Sequence, residues 1–436
     1  MPREAPPKTE PDVGRSALRK ATRRIIPILM AGYIISYLDR INISFAKFGM
    51  EESFGMSATA YGFAAGVFFI GYVLFEVPSN MMMRKVGARL WISRIMISWG
   101  LIAAAMGFVH SAEWIYVLRF LLGVAEAGFF PGIILYLTYW YPAAQHTKII
   151  STLMMSIPIS GAIGGPINGW ILDTFDGAWG MEGWRWVFII GGVPAVLLGV
   201  VFLATLTNKP AQAKWLTPAE RDWLTDTVAA EEQARSETAP KGHAAVFRDK
   251  KVLALALVYF LLQCGAYPLT YWMPSVIDDV GQGLTPTQLG WLTAVPFAFA
   301  AIAMYLVGRL VRKEGSAVPV VIALGISVLA FAGTATTLST PMLAFLLITI
   351  ATMAAQTSKP LFWPLSTLYL SGAAAASGIA LINSLGNAAG FISPYAVGWI
   401  QDASGGNNGL SMIVMITANL FAVIVVALLS RSRKHA

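Results

Sequence analysis

Charge is what this sequence has least of. Only 12% of its 436 residues are Asp, Glu, Lys or Arg, about half the share of an ordinary soluble domain, which runs near 25%. That scarcity, beside 56% hydrophobic residues, excludes a water-soluble globular protein. Cysteine occurs once, as Cys264 in an apolar segment, so no internal disulfide can form and a small core residue is the plain reading. The four histidines, His110, His146, His243 and His435, lie in loops or at segment edges. No metal-ligand cluster, phosphate-cradling loop or Ser-His-Asp set is visible, so the sequence offers enzyme chemistry no home and calls for no cofactor. The first 24 residues are basic and proline-rich, without the apolar stretch of a secretory signal.

What the chain has instead is apolar blocks of about twenty residues, the length a helix needs to cross a bilayer. Ile25–Ala46, Tyr61–Met82 and Val187–Leu206 are typical. Twelve such segments are expected, at 25–47, 58–82, 90–109, 114–137, 148–172 and 185–206, then 251–276, 287–311, 317–337, 341–369, 374–400 and 409–430. Glycine and proline within them are tolerable where neighbouring helices satisfy the backbone. The expected fold is an all-α integral membrane protein of twelve transmembrane helices in two six-helix bundles. The expected division is a tail at 1–24, bundles at 25–206 and 251–430, a linker at 207–250 and a tail at 431–436.

The formal net charge of +8 raises the question of a nucleic-acid partner. Lys and Arg fall mostly in the tails and alternate loops with no continuous basic face, which argues against one and instead encodes topology. Arg23, Arg24, Arg84 and Lys85 lie on one side, while the other side holds only Lys47 and Arg185 among several acids. Both termini are therefore expected in the cytoplasm. In the linker, Thr217–Glu232 reads as a helix with Thr217 as N-cap, Pro218 at its first position and Glu220 completing a capping box. The linker is expected to space the two halves.

The halves repeat each other. Met83-Arg84-Lys85-Val86-Gly87 matches Val311-Arg312-Lys313-Glu314-Gly315, and Gly169-Trp170-Ile171-Leu172-Asp173 matches Gly398-Trp399-Ile400-Gln401-Asp402. The separations, 228 and 229 residues, agree on one period. Parallel repeats of six spans place a substrate site between two bundles near mid-membrane.

Charges are costly in hydrocarbon, so each intramembrane one needs a reason. Six stand out: Asp39, Arg40, Glu76, Arg119, Glu126 and Lys359. Asp39 lies fifteen residues beyond Arg24, about 22 Å of helix rise. Arg119 and Glu126 are seven apart and share a helix face, with Gly123 and Gly128 allowing close approach. Arg40 and Arg119 offer planar forks for a substrate carboxylate, and Asp39 and Glu126 can take up protons, since desolvation favours a neutral carboxyl. The alternative is that these four charges pair to stabilise a bundle. Glu76 reads as a gate or cap near Arg84. Lys359 must reach water, an acid or a ligand, and a substrate's second carboxylate is one candidate. Tyr37, Tyr72 and Trp363 stand beside charged or helix-breaking positions and are cavity candidates, whereas Trp114, Trp184, Trp186 and Trp399 suit interfacial belts.

With Tyr-Leu-Asp39-Arg40 in the first span and Arg119-Phe-Leu-Leu-Gly-Val-Ala-Glu126-Ala-Gly-Phe-Phe-Pro-Gly in the fourth, the chain resembles the anion:cation symporter family of the major facilitator superfamily. Phe69-Ile-Gly-Tyr-Val-Leu-Phe-Glu-Val-Pro-Ser-Asn80 and Gly132-Ile-Ile-Leu-Tyr-Leu-Thr-Tyr-Trp140 carry it furthest, toward the tartrate, phthalate and hydroxyphenylacetate permeases. The resemblance implies a monomeric carrier in a bacterial inner membrane, importing a small organic anion by proton symport. Asp39 and Glu126 match the family's proton-coupling acids and Arg40 and Arg119 its substrate-side arginines. Tyr37, Tyr72 and Asn383 fall where related sugar-acid carriers contact substrate. Two positions depart from the superfamily pattern: Arg84 and its counterpart Arg312 replace an acid of the loop motif, so the usual latch is altered and Glu76 is a candidate to replace it. A uniporter or exchanger of the same fold, or a carrier-like ligand sensor, are the competing readings.

Overall fold

The computed structural model describes residues 10–238, 249–281, 283–310, 316–367 and 374–434. Among them there is no strand, as expected where no water is present to satisfy a backbone and each helix must satisfy its own. The first half comprises α1 (Glu10–Phe54), α2 (Ala58–Val86), α3 (Ala88–Ala105), α4 (Ala112–Glu126), α5 (Phe129–Thr138), α6 (Ala143–Met154), α7 (Ser156–Phe175) and α8 (Gly183–Thr205). After α9 (Pro218–Thr238), the second half comprises α10 (Lys250–Gly281), α11 (Pro286–Leu310), α12 (Ala317–Thr336), α13 (Pro341–Thr367), α14 (Ala374–Ala403), α15 (Asn408–Ser411) and α16 (Ile413–Lys434). Among the described residues ten stretches are long and apolar enough to cross a membrane. Two more helices, α1 and α14, have the length but carry polar residues along it, Asp39 and Arg40 in one and Asn383 and Asn387 in the other.

Three expected spans are each split into a helix pair, the last of them at Met412 between α15 and α16. The fourth breaks between α4 and α5 at Gly128, whose φ of +84° is a left-handed conformation that glycine adopts without strain. The fifth breaks at Met155, between α6 and α7. The first departs the other way, because α1 is one 45-residue helix that takes in most of the expected tail. One face of its extension is covered: Ala17 and Ala21 are fully buried in one cluster with Leu224 of α9.

The linker helix is fastened to the first half. The capping box forms as expected, with the Thr217 amide donating to Glu220 Oε2 (2.9 Å) and the Glu220 amide to Thr217 Oγ1 (3.3 Å). The same carboxylate also accepts from Ser16 Oγ and Lys20 Nζ of α1, both at 2.7 Å. Farther along α9, Glu231 Oε2 accepts from the Ala143 amide at the start of α6 (2.8 Å). Helix α9 is thus part of the first half's face and not a free spacer.

Between the halves, α7 packs on α11, α2 on α14 and α1 on α10. The second repeated motif makes two of these contacts. Asp173, at the end of α7, accepts from the Thr287 amide at the start of α11 (2.9 Å). Asp402, at the end of α14, accepts from the Ala58 and Thr59 amides at the start of α2 (3.0 and 2.8 Å). In both copies the motif's glycine lets the helices touch: a Cβ at Gly169 would lie 2.2 Å from the Pro286 carbonyl oxygen, and one at Gly398 would lie 2.2 Å from that of Ala58. These contacts join the halves at the face opposite the termini. Closure continues inward to Phe69, whose ring meets Tyr267 at 4.7 Å.

Lys47, expected in a loop, is buried on that face with 5% exposure, because α1 runs on to Phe54. It donates to Ser275 Oγ of α10 (2.9 Å), pairs with Glu51 (3.4 Å) and stands 4.7 Å from the Trp272 ring. The aromatic belt needs a similar correction. Trp114 and Trp399 are exposed, but Trp184 and Trp186 are buried, Trp184 because it fills the space above Gly49 of α1.

Candidate functional site

The charged residues of α1 and α4 meet where the break at Gly128 makes Glu126 the last residue of α4. Ser36 and Arg40 are one turn apart on α1 and present the same face. Glu126, with no exposed surface, accepts through one oxygen only: Oε1 takes Ser36 Oγ (2.7 Å), Arg40 Nε (3.1 Å) and Arg40 Nη2 (2.5 Å). Its other oxygen is buried with no donor. The Arg40 guanidinium is caged by the rings of Tyr37, Phe68 and Tyr72 at 5.1, 5.2 and 5.3 Å, where a dehydrated cation gains from the faces of the π systems. Tyr37 and Tyr72 thus stand at the site as expected, and Phe68 joins them.

Asp39 and Arg119 do not form the second pair. Asp39 is 1% exposed and neither of its oxygens accepts a well-formed hydrogen bond. Arg119, wholly buried, instead donates to two carbonyls of α2, Nε to Ala64 (3.2 Å) and Nη2 to Ala65 (3.1 Å), leaving Nη1 buried and free. It shares the Phe68 ring with Arg40, at 5.1 Å. Gly123 makes this approach of α4 to α2 feasible, since a Cβ there would fall 1.9 Å from the Phe68 carbonyl oxygen. Mutual pairing therefore accounts for one acid and one arginine, and leaves an acid that no well-formed bond holds beside an arginine with one donor to spare.

Phe68, Tyr72 and Glu76 succeed one another by single turns of α2, so Glu76 lies just beyond the Arg40 cage. It is buried, with Oε2 unpartnered. Arg84, two turns farther, is exposed, and among the described residues no ion pair joins it to Glu76. Its counterpart Arg312 lies outside the described residues. In the second half, Trp363 of α13 packs on Tyr259 of α10 at 5.0 Å. Lys359, one turn before it, is half-buried and has no hydrogen bond or ion pair among the described residues. Asn383 of α14 is half-buried and likewise unbonded there; one turn on, Asn387 accepts from Tyr267 OH (3.2 Å). The described residues contain no cluster suited to a metal ion.

Sequence reasoning missed Ser36, Phe68, Tyr267 and Asn387. The four-residue spacing from Ser36 to Arg40 was a usable signal. Tyr267 and Asn387 are neutral polar residues in apolar helices, and nothing in their local pattern says that they face the other half.

The sequence profile described as Major Facilitator Superfamily matches residues 29–394. A protein of Agrobacterium vitis, provisionally named a tartrate transporter, is 44% identical over 428 residues, covering 98% of this chain and 94% of its own. The inner membrane transport protein RhmT of Escherichia coli K12 is 34% identical over 387 residues, 87% of each chain. Among solved structures, a bacterial homologue of the human lysosomal transporter Spinster, inward-facing and occupied, superposes with a TM-score of 0.74 at 19% identity, covering 93% of this chain and 96% of that one. The xylose transporter XylE of E. coli in a partially occluded inward-open form gives 0.72 at 18% identity over 93% and 97%. The chain, a multi-pass membrane transporter and not an enzyme, belongs to the major facilitator superfamily.

Proposed function

We propose that this chain imports a small organic carboxylate by proton symport and alternating access, in a bacterial inner membrane with both termini in the cytoplasm. The observation that carries this reading is the single-oxygen bond between Glu126 and Arg40, next to Asp39, neither of whose oxygens is held by a well-formed hydrogen bond. A substrate carboxylate that takes the Arg40 fork must displace Glu126. The displaced carboxylate is then a buried charge with no cation beside it and only the Ser36 hydroxyl to bind, which is strongly unfavourable unless it takes a proton. Binding of the anion and binding of the proton thereby favour each other. The relative named for tartrate supports an organic acid as substrate, and the excess of Lys and Arg on the terminus-bearing side supports the orientation. Closure of the opposite face by the two Asp caps fits the inward-facing member of an alternating cycle.

The test is reconstitution in liposomes with a pH-sensitive dye inside and an inward proton gradient. Wild-type protein should accumulate substrate and acidify the lumen. D39N/E126Q should lose uphill accumulation while keeping substrate counterflow; undiminished uphill uptake would remove both acids from the coupling. Uptake without acidification indicates a uniporter or exchanger, and binding without uptake a sensor.

A further inference from the structure

We infer that the terminus-bearing end of α1 holds a binding site for the phosphate of an anionic phospholipid. Lys20, Arg23 and Arg24 occupy positions i, i+3 and i+4, so they line one face of α1. With Trp215 they surround an open cavity of about 370 Å³, a volume in the range of small-ligand sites. A narrow gap of about 10 Å³ begins at the same Arg24 and Trp215 and runs between Ile25, Ile28, Tyr136 and Leu206. The site is basic where it opens to solvent and is closed below by the core residues Ile25, Tyr136 and Leu206, so it has room for a headgroup alone.

A second observation is independent of charge. The indole N–H of Trp215 is buried with no acceptor, although its ring is held in place, stacked on Trp140 at 5.4 Å with the Arg24 guanidinium 5.5 Å above it. An N–H left in this way calls for an acceptor the protein does not supply. Lys20 is engaged by Glu220, but among the described residues neither Arg23 nor Arg24 pairs with an acid. Two free guanidinium groups and an indole N–H match phosphate oxygens. The depth fits a lipid as well, since the apolar run of α1 begins at Ile25 and the cavity sits where the helix enters the bilayer. Under the orientation proposed above this is the cytoplasmic leaflet, whose anionic lipids attract such basic segments.

The test is native mass spectrometry of the full chain after exposure to equal amounts of phosphatidylglycerol and phosphatidylethanolamine with the same acyl chains. Wild-type protein should retain phosphatidylglycerol preferentially, and R23Q/R24Q should lose about thirty-fold of that retention. W215F keeps every charge, and so the topology signal, yet should also weaken retention while leaving substrate counterflow intact. Equal retention of the two lipids by wild type, or full retention by both variants, overturns the proposal. Thermal stabilisation by glycerol 3-phosphate as large as that by the lipid also overturns it, in favour of a soluble phosphate ester.

Discussion

At the scale of single residues, a cation without a partner is the most informative feature. Lys359 is half-buried on α13 with no hydrogen bond or ion pair among the described residues, in the half opposite Arg40 and Arg119. One arginine suffices for a monocarboxylate, so a third cation across the boundary suits a second anionic group. A dicarboxylate, aromatic or hydroxylated, that bridged Arg40 and Lys359 would also draw the halves together. In K359M such a ligand should lose about 1.5–3 kcal/mol, roughly ten- to a hundred-fold in affinity, while its monocarboxylate analogue is unaffected. Calorimetry on both ligands checks this; equal losses would assign Lys359 a general electrostatic role. The charges themselves were legible in the sequence because each is conspicuous in hydrocarbon. Their partners were not, since Arg119 could equally have met Asp39 until the α2 carbonyls came into reach.

Among the elements, α9 shows one residue serving local and distant structure at once. Glu220 closes the capping box of its own helix and holds α1 through Ser16 and Lys20. Burial opposes its ionisation, but hydrogen bonds from Lys20, Ser16 and Thr217 outweigh that and bring its carboxyl from the ordinary 4.5 down to about 2. A depressed value means that the charged form favours docking. The contribution is complete above pH 4.5 and is lost as pH falls from there toward 2. The protection factors of the α9 amides, referred to the intrinsic exchange rate at each pH, should therefore stay high in wild type from neutral pH to about pH 4 and fall below it, whereas E220Q should show low protection at neutral pH. Identical protection in the two proteins would make the contact incidental. The capping box was readable because it is written within four residues. Docking on α1 was not, because Ser16 and Lys20 lie about two hundred positions away.

For the molecule as a whole, the repeat acts through the boundary between its copies. The ends of α7 and α14 each place an aspartate on the first turn of a helix in the other half, where free amides and the helix dipole favour a negative charge. In an alternating-access cycle these two caps must break whenever that face opens. D173A/D402A should therefore favour the form open opposite the termini. Spin labels at Glu52 and Ala403, exposed helix positions on the two sides of that face, in a Cys264→Ser background, should report a longer-distance population absent from the otherwise wild-type protein. An unchanged distance distribution would show that closure does not depend on the caps.

Sequence by itself determined the membrane class, most of the helical segments, the two repeated motifs and the set of costly charges. Each rests on quantities that composition and short-range spacing carry: the hydrophobicity of a twenty-residue window, a period of 3.6, a charge in an apolar run. Only the tertiary structure decided that Arg40 takes Glu126 while Asp39 takes no cation, that Lys47 lies inside, and that α9 belongs to the first half. It also decided that one repeated motif ties each half to the other. These outcomes turn on the relative depth and rotation of helices remote in the chain, where a shift of one residue, about 1.5 Å of rise and 100° of turn, exchanges one partner for another.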